Sequence, residues 1–125
     1  MTVTVAESCS AYSQQPFRLL HLCIHNVERE KLKGNEFYRV GEVEEAIRCY
    51  TRSINFDPSN HILYANRAMG YIKLEALEKA EEDCSKALQL DCTYVKAWSR
   101  RGLTRFKRGK YSLVCALSVF SLPVI

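Results

Sequence analysis

No apolar run in this chain approaches the roughly 20 residues a bilayer-spanning helix needs. The opening MTVTVAESCSAYSQQ has no basic stretch leading into an apolar core, so neither a membrane span nor a secretory signal is expected. The six cysteines (Cys9, Cys23, Cys49, Cys84, Cys92 and Cys115) form no Cys-x-x-Cys pair. Scattered in this way, and without a secretory signal, they read as reduced thiols of a cytosolic protein. No Ser/His/Asp set, phosphate-cradling glycine loop or paired-carboxylate site stands out, so neither an enzyme nor a cofactor is expected. Acids are missing from residues 95–110, which carry Lys96, Arg100, Arg101, Arg105, Lys107, Arg108 and Lys110. Residues 75–83 reverse this, with Glu75, Glu78, Glu81, Glu82 and Asp83 against Lys79 alone. Such segregation points to one basic and one acidic side.

What is present is a repeat. The 125 residues, 26% charged and 47% hydrophobic, suit one small soluble domain. Three blocks align without gaps: 27–60, 61–94 and 95–121. Tyr64 and Trp98 correspond, as do Gly34, Ala68 and Gly102, then Ala46 and Ala80, then Ser53 and Ala87. Pro58 closes the first block, and Gly41 and Gly109 fall between paired helices, where a permissive backbone is useful. The pattern predicts an all-α helix-turn-helix solenoid of about three repeats. Its first (A) helices lie at about 27–40, 61–74 and 95–108, and its second (B) helices near 43–56, 77–90 and 111–121. No helix pair buries its apolar face alone, so neighbours stack and the A helices line the concave side.

Helical spacing then orients five polar residues. Lys31 and Asn35, four apart, share a face of the first A helix, and Lys96 and Arg100 do the same on the third. Asn66 on the middle A helix stands 34 residues before Arg100. Three cations and two amides converging in one groove suit a ligand with more than one carboxylate, because charge-assisted hydrogen bonds are roughly twice as strong as neutral ones. The A helices carry far more bases than acids and the first two B helices reverse the balance, so a basic concave face and an acidic convex face are expected.

The segments KLKGNEFYRVGEVEEAIRCYTRSI, LYANRAMGYIKL, AEEDCSKALQLD and VKAWSRRGLTRFKRGK resemble the tetratricopeptide-repeat (TPR) co-chaperones of the carboxylate-clamp subclass, over about residues 28–110. Within it they are most similar to the group of RNA polymerase II-associated protein 3 and the sperm-associated antigens. The resemblance implies a non-enzymatic adaptor, cytoplasmic and also nuclear. Its groove would bind the C-terminal Glu-Glu-Val-Asp of heat-shock proteins 90 and 70, in the assembly of multiprotein complexes such as RNA polymerase II. By the same resemblance, Lys31, Asn35 and Asn66 hold the terminal carboxylate and its Asp side chain. Lys96 contacts the Asp carboxylate and Arg100 the upstream peptide. Tyr38, Met69, Ile72 and Lys73 form side-chain pockets, with Lys73 reaching a ligand Glu. The resemblance brings no metal and no cofactor.

Three features depart from the pattern. YSLVCALSVFSLPVI carries no charge where an amphipathic B helix is expected, has Val114 where Ala is usual, and turns at Pro123 into a tail at 122–125. This reads as a truncated or alternatively spliced form of a longer protein. Residues 1–26 are expected to be a poorly ordered extension or a short helix. Their His21-x-Cys23-x-His25 string has strand-like spacing and no fourth ligand, so no metal site is assigned. Glu75 stands at the turn glycine's position and Cys92 at the unit-ending proline's, both read as minor. The competing readings are nucleic-acid binding through the basic segment 96–110 and an inactive truncated isoform.

Overall fold

The computed structural model describes residues 3–110, with side chains from Phe17 to Gly109. The expected B helix at 111–121, Val114 within it, Cys9, Cys115 and the tail at 122–125 lie outside the described residues or side chains. Five helices follow one another: α1 (Val3–Val40), α2 (Val43–Phe56), α3 (His61–Lys73), α4 (Leu77–Leu90) and α5 (Val95–Lys110). No strand occurs among the described residues. α1 pairs with α2 and α3 with α4, while α2 packs on α3 and α5 on both α3 and α4. That is the two-layer stack the repeat requires.

The first helix departs from expectation. It does not begin near residue 27 but runs unbroken from Val3. Residues 17–33 contain neither proline nor glycine, so between Pro16 and the first unit nothing stops the helix. Val27 is buried where α1 meets α2, whereas Phe17, Leu19, Leu20, Leu22 and Ile24 are exposed. The helix also settles the geometry of the His21–Cys23–His25 string. Four residues apart, the two histidines share a face and Cys23 points away from both. Among the described residues no three metal-ligating side chains come together.

Local signals punctuate the stack with the repeat's own period. Asp57 Oδ1 accepts from the Ser59 amide and hydroxyl, and Asp91 Oδ1, 34 residues on, accepts from those of Thr93. These Asx turns end α2 and α4. Asn60 then caps α3 by accepting from the Ile62 amide at 3.2 Å. The Tyr64 hydroxyl donates to the Pro58 carbonyl at 2.9 Å, and the Trp98 indole donates to that of Cys92 at 2.8 Å, again 34 residues on. Cys92 thus serves this contact as well as proline does. Gly41 turns α1 into α2 at φ +94°; its equivalent, Glu75, adopts φ +60° at the turn from α3 to α4.

Small residues set the depth of packing. Ala46, Cys49, Ser53, Ala65, Ala68, Ala80, Cys84, Ala87, Ala97 and Thr104 are fully buried, which lets helix backbones approach closely. Around them lie Ile54, Leu63, Tyr64 and Leu88, with Tyr94 packed against the cluster. The buried Ser53 hydroxyl donates to the Val27 carbonyl at 2.7 Å and ties α2 to α1. The four described cysteines are free thiols, Cys49 and Cys84 buried and Cys23 and Cys92 exposed. Burial pushes the Cys84 thiol up to about 11 and raises that of Cys49. Neither is primed as a nucleophile.

Candidate functional site

Lys31, Asn35 and Tyr38 recur at four- and three-residue steps along α1, so they form one stripe. Asn66, Met69 and Lys73 form a stripe on α3, and Lys96 and Arg100 one on α5. Contacts join the three stripes. Arg100 Nη1 donates to Asn66 Oδ1 at 3.3 Å, bridging α5 to α3. The Lys73 ammonium stands 4.9 Å from the centre of the Tyr38 ring, bridging α3 to α1. Asn35 Oδ1 accepts from the Tyr50 hydroxyl at 2.7 Å.

The groove is therefore dominated by donors. Both amide oxygens already accept a hydrogen bond, so what the amides have left to offer is chiefly their NH2 groups. Lys31 is held at 2.8 Å by Glu28, one helical turn back. That pair is exposed on the Glu28 side, so it is a weak tether. Among the described residues no acid pairs with Lys96, which is exposed.

Of the nine residues singled out from the sequence, Ile72 stands apart. It lies six positions past Asn66, roughly 120° around the helix, and is buried. It packs inward and presents almost no surface to a peptide. Met69 is half-buried and Lys73 exposed, both on the open stripe.

Two groove residues were missed. Tyr50, from α2, lies beneath Asn35 with its ring against Gly34; a Cβ on that glycine would sit 2.6 Å from Tyr50 Cε1. Burial pushes the Tyr50 phenol up to about 12, with Arg100 nearby drawing it down less strongly. Its aromatic position in the B helix was a visible signal of packing, not of this contact. Lys107 lies two helical turns beyond Arg100, on the same stripe of α5, and pairs with Glu75 at 2.7 Å. Helical spacing continued past Arg100 would have reached it.

The simple charge count overstates the basic groove. Arg67 makes a bidentate pair with Asp83 of α4, at 2.7 and 2.8 Å. Arg105 and Arg108 both grip Glu81, also on α4. Arg101 stacks over Trp98, 5.8 Å from its ring. Within the basic segment at 96–110, Arg105 and Arg108 are thus occupied in holding α5 to α4 and Lys107 pairs with Glu75, which leaves fewer free cations for a phosphate backbone. Among the described residues no helix is long and apolar enough to cross a membrane.

Comparison with known proteins agrees with the repeat architecture. Residues 34–74 match a TPR repeat model and residues 62–91 a tetratricopeptide repeat model. The chain is 51% identical to RNA polymerase II-associated protein 3 of Homo sapiens over 100 residues, covering 80% of this chain and 15% of the relative. It therefore spans about a seventh of that relative's length. Among solved structures it is similar to the second TPR of Spaghetti (RPAP3) bound to the HSP90 peptide SRMEEVD. The TM-score is 0.72 at 41% identity, covering 86% of this chain and 91% of that one. The second TPR domain of the human RPAP3 protein in complex with the HSP70 peptide SGPTIEEVD gives a TM-score of 0.67 at 46% identity, covering 70% and 73%.

Proposed function

Because this chain belongs to the tetratricopeptide-repeat family, we propose that its α1–α3–α5 groove binds the free C-terminus of an acidic peptide. The peptide is the Glu-Glu-Val-Asp tail of heat-shock proteins 90 and 70. The observation that carries this reading is the joining of three repeat units into one donor face, through Arg100 to Asn66 and Lys73 to Tyr38. A C-terminal Asp presents two carboxylates a few ångström apart, and Lys31, Asn35, Asn66, Lys96 and Arg100 supply the donors. Charge-assisted bonds of this kind give both affinity and end-specificity. The similar domains bound to SRMEEVD and SGPTIEEVD support the choice of ligand.

On this reading the chain is an adaptor and not an enzyme, with repeat units at 27–60, 61–94 and 95–121 and an extension before them. It works in the cytoplasm and nucleus, where it links chaperones to the assembly of complexes such as RNA polymerase II. Tyr38, Met69 and Lys73 line the upstream peptide, with Lys73 near a ligand Glu. The decisive experiment is a calorimetric titration with free-acid SRMEEVD and with the same peptide amidated at its C-terminus. Micromolar binding of the free acid is expected, weakened about tenfold or more by amidation, which removes a charge-assisted contact. Equal affinity for the two peptides would sink the proposal.

A further inference from the structure

An asparagine side chain is ambivalent towards a carboxylate. Its NH2 group donates and attracts, while its oxygen accepts and repels. A groove that uses Asn35 to hold an anion must therefore fix which way the amide faces. The buried Tyr50 hydroxyl does this by donating to Asn35 Oδ1 at 2.7 Å. Turning the amide over would put the NH2 against the hydroxyl. The hydroxyl proton would then lose the one acceptor it has among the described residues, and a buried donor left unpaired is costly.

The residue beside Asn35 makes this contact possible. Gly34 lacks a Cβ, so the Tyr50 ring rests on the α1 backbone and its hydroxyl reaches the next residue, Asn35. The phenol stays protonated at any ordinary pH because burial pushes it up to about 12. It is a permanent donor.

We propose that Tyr50 is a positioning residue that sets the Asn35 amide with its NH2 group facing the ligand, and so gives the groove its preference for a carboxylate over an amide terminus. This rests on the peptide-binding reading of the groove and adds to it a residue that need not touch the peptide.

The test is Tyr50→Phe, alone and combined with Asn35→Ala, with free-acid and amidated SRMEEVD as probes on the full chain. Phenylalanine keeps the ring on Gly34, so the packing is retained. The substitution is expected to weaken the free-acid peptide about three- to tenfold and to leave the amidated peptide unchanged, which narrows the selectivity ratio. In the Asn35→Ala background it is expected to have no further effect. Equal losses for both peptides would mark Tyr50 as merely structural and overturn the proposal, as would an effect that persists without Asn35. If the wild-type chain did not discriminate between the peptides, the groove reading would fall and this inference with it. If it discriminated and Tyr50→Phe did so equally well, only this inference would fall. A measurement on the unaltered chain guards against loss of fold in the variant. The Asn35 side-chain NH2 resonances are expected to move on adding the free-acid peptide and to stay put with the amide, and resonances that ignore both would overturn the proposal.

Discussion

Arg100 and Asn66 stand 34 residues apart, at the same position of successive repeat units, and their side chains meet: Arg100 Nη1 donates to Asn66 Oδ1 at 3.3 Å. One repeat unit thereby orients the ligand group of another. On the proposed peptide-binding reading each residue serves the ligand directly and also through its neighbour, so their effects on binding are expected not to be independent. We predict that Arg100→Ala and Asn66→Ala each weaken free-acid peptide binding about tenfold, and that the double variant loses less than the product of the two. The coupling expected for a single hydrogen bond of this kind is about 1 kcal/mol. Calorimetry on the four proteins of the cycle measures it, and strict additivity would contradict the bridge.

Glu75 gives a prediction about the scaffold. It occupies the left-handed region at φ +60°, where a side chain costs about 1–2 kcal/mol that glycine does not incur. Its carboxylate meets Lys107 at 2.7 Å, but both side chains are substantially exposed, so that pair contributes well under 1 kcal/mol. Relief of strain outweighs loss of the pair, and Glu75→Gly is expected to raise the thermal midpoint by a few degrees. Glu75→Ala keeps the strained backbone and loses the pair, so it should lower the midpoint slightly. The opposite signs are the check, read by circular dichroism melting. The sequence alone made this substitution look minor, and the backbone shows that it is not.

The contrast with Gly41 indicates which features were legible in the sequence. Helices α2 to α5, the turns between them and the placing of the five polar residues on α1, α3 and α5 follow from a 34-residue period and four-residue spacing, both of which are local. The Tyr50–Asn35 contact was not legible, because it depends on how closely two helices approach at Gly34. The charge of the groove was misjudged for a related reason. Arg67, Arg105 and Arg108 sit on A helices, yet their partners Asp83 and Glu81 reach them from α4. Ile72, which the resemblance assigned to a side-chain pocket, is turned into the core and buried. The string at His21 was judged by strand spacing, although the segment holding it is helical.

The Arg67–Asp83 pair is expected to be the most sensitive polar contact in the described fold. It is bidentate, and both side chains are largely shielded from water, at 18% and 9% exposure. Arg67 also donates to Thr51 Oγ1 at 3.2 Å, so it ties α3 to both α2 and α4. Removing one partner strands the other's charge, at a cost of about 3 kcal/mol. Asp83→Ala should therefore lower stability by about that amount in urea unfolding, while replacing both residues together with apolar ones should cost much less. A double variant as unstable as Asp83→Ala would contradict this. The pair does not recur one unit later. Arg101 is the equivalent of Arg67, but the equivalent of Asp83 is Leu117, and Arg101 Nε is buried without a hydrogen-bond partner among the described residues.

Acid should loosen the stack through two carboxylates that the fold holds ionised. Glu30 is buried and bonded to Arg52 at 2.8 Å, and that bond pulls its carboxyl below the ordinary value of 4.5 against the opposing effect of burial. Glu81 is lowered in the same direction by its hydrogen bond to Arg105, with Arg108 adding to it. A folded-state pKa below the unfolded one means that the unfolded chain takes up the proton first as pH falls. The stabilisation is therefore fully present above about pH 4.5 and is lost as pH falls through the lowered folded values. We expect the thermal midpoint to hold steady from neutral pH down to about pH 5 and to decline below it. Glu30→Gln should be less stable than the unaltered chain at neutral pH and should show a shallower decline in acid, because it has one fewer proton to take up on unfolding. A variant with a lower midpoint but an unchanged acid slope would mean that Glu30 contributes by packing and not by its charge.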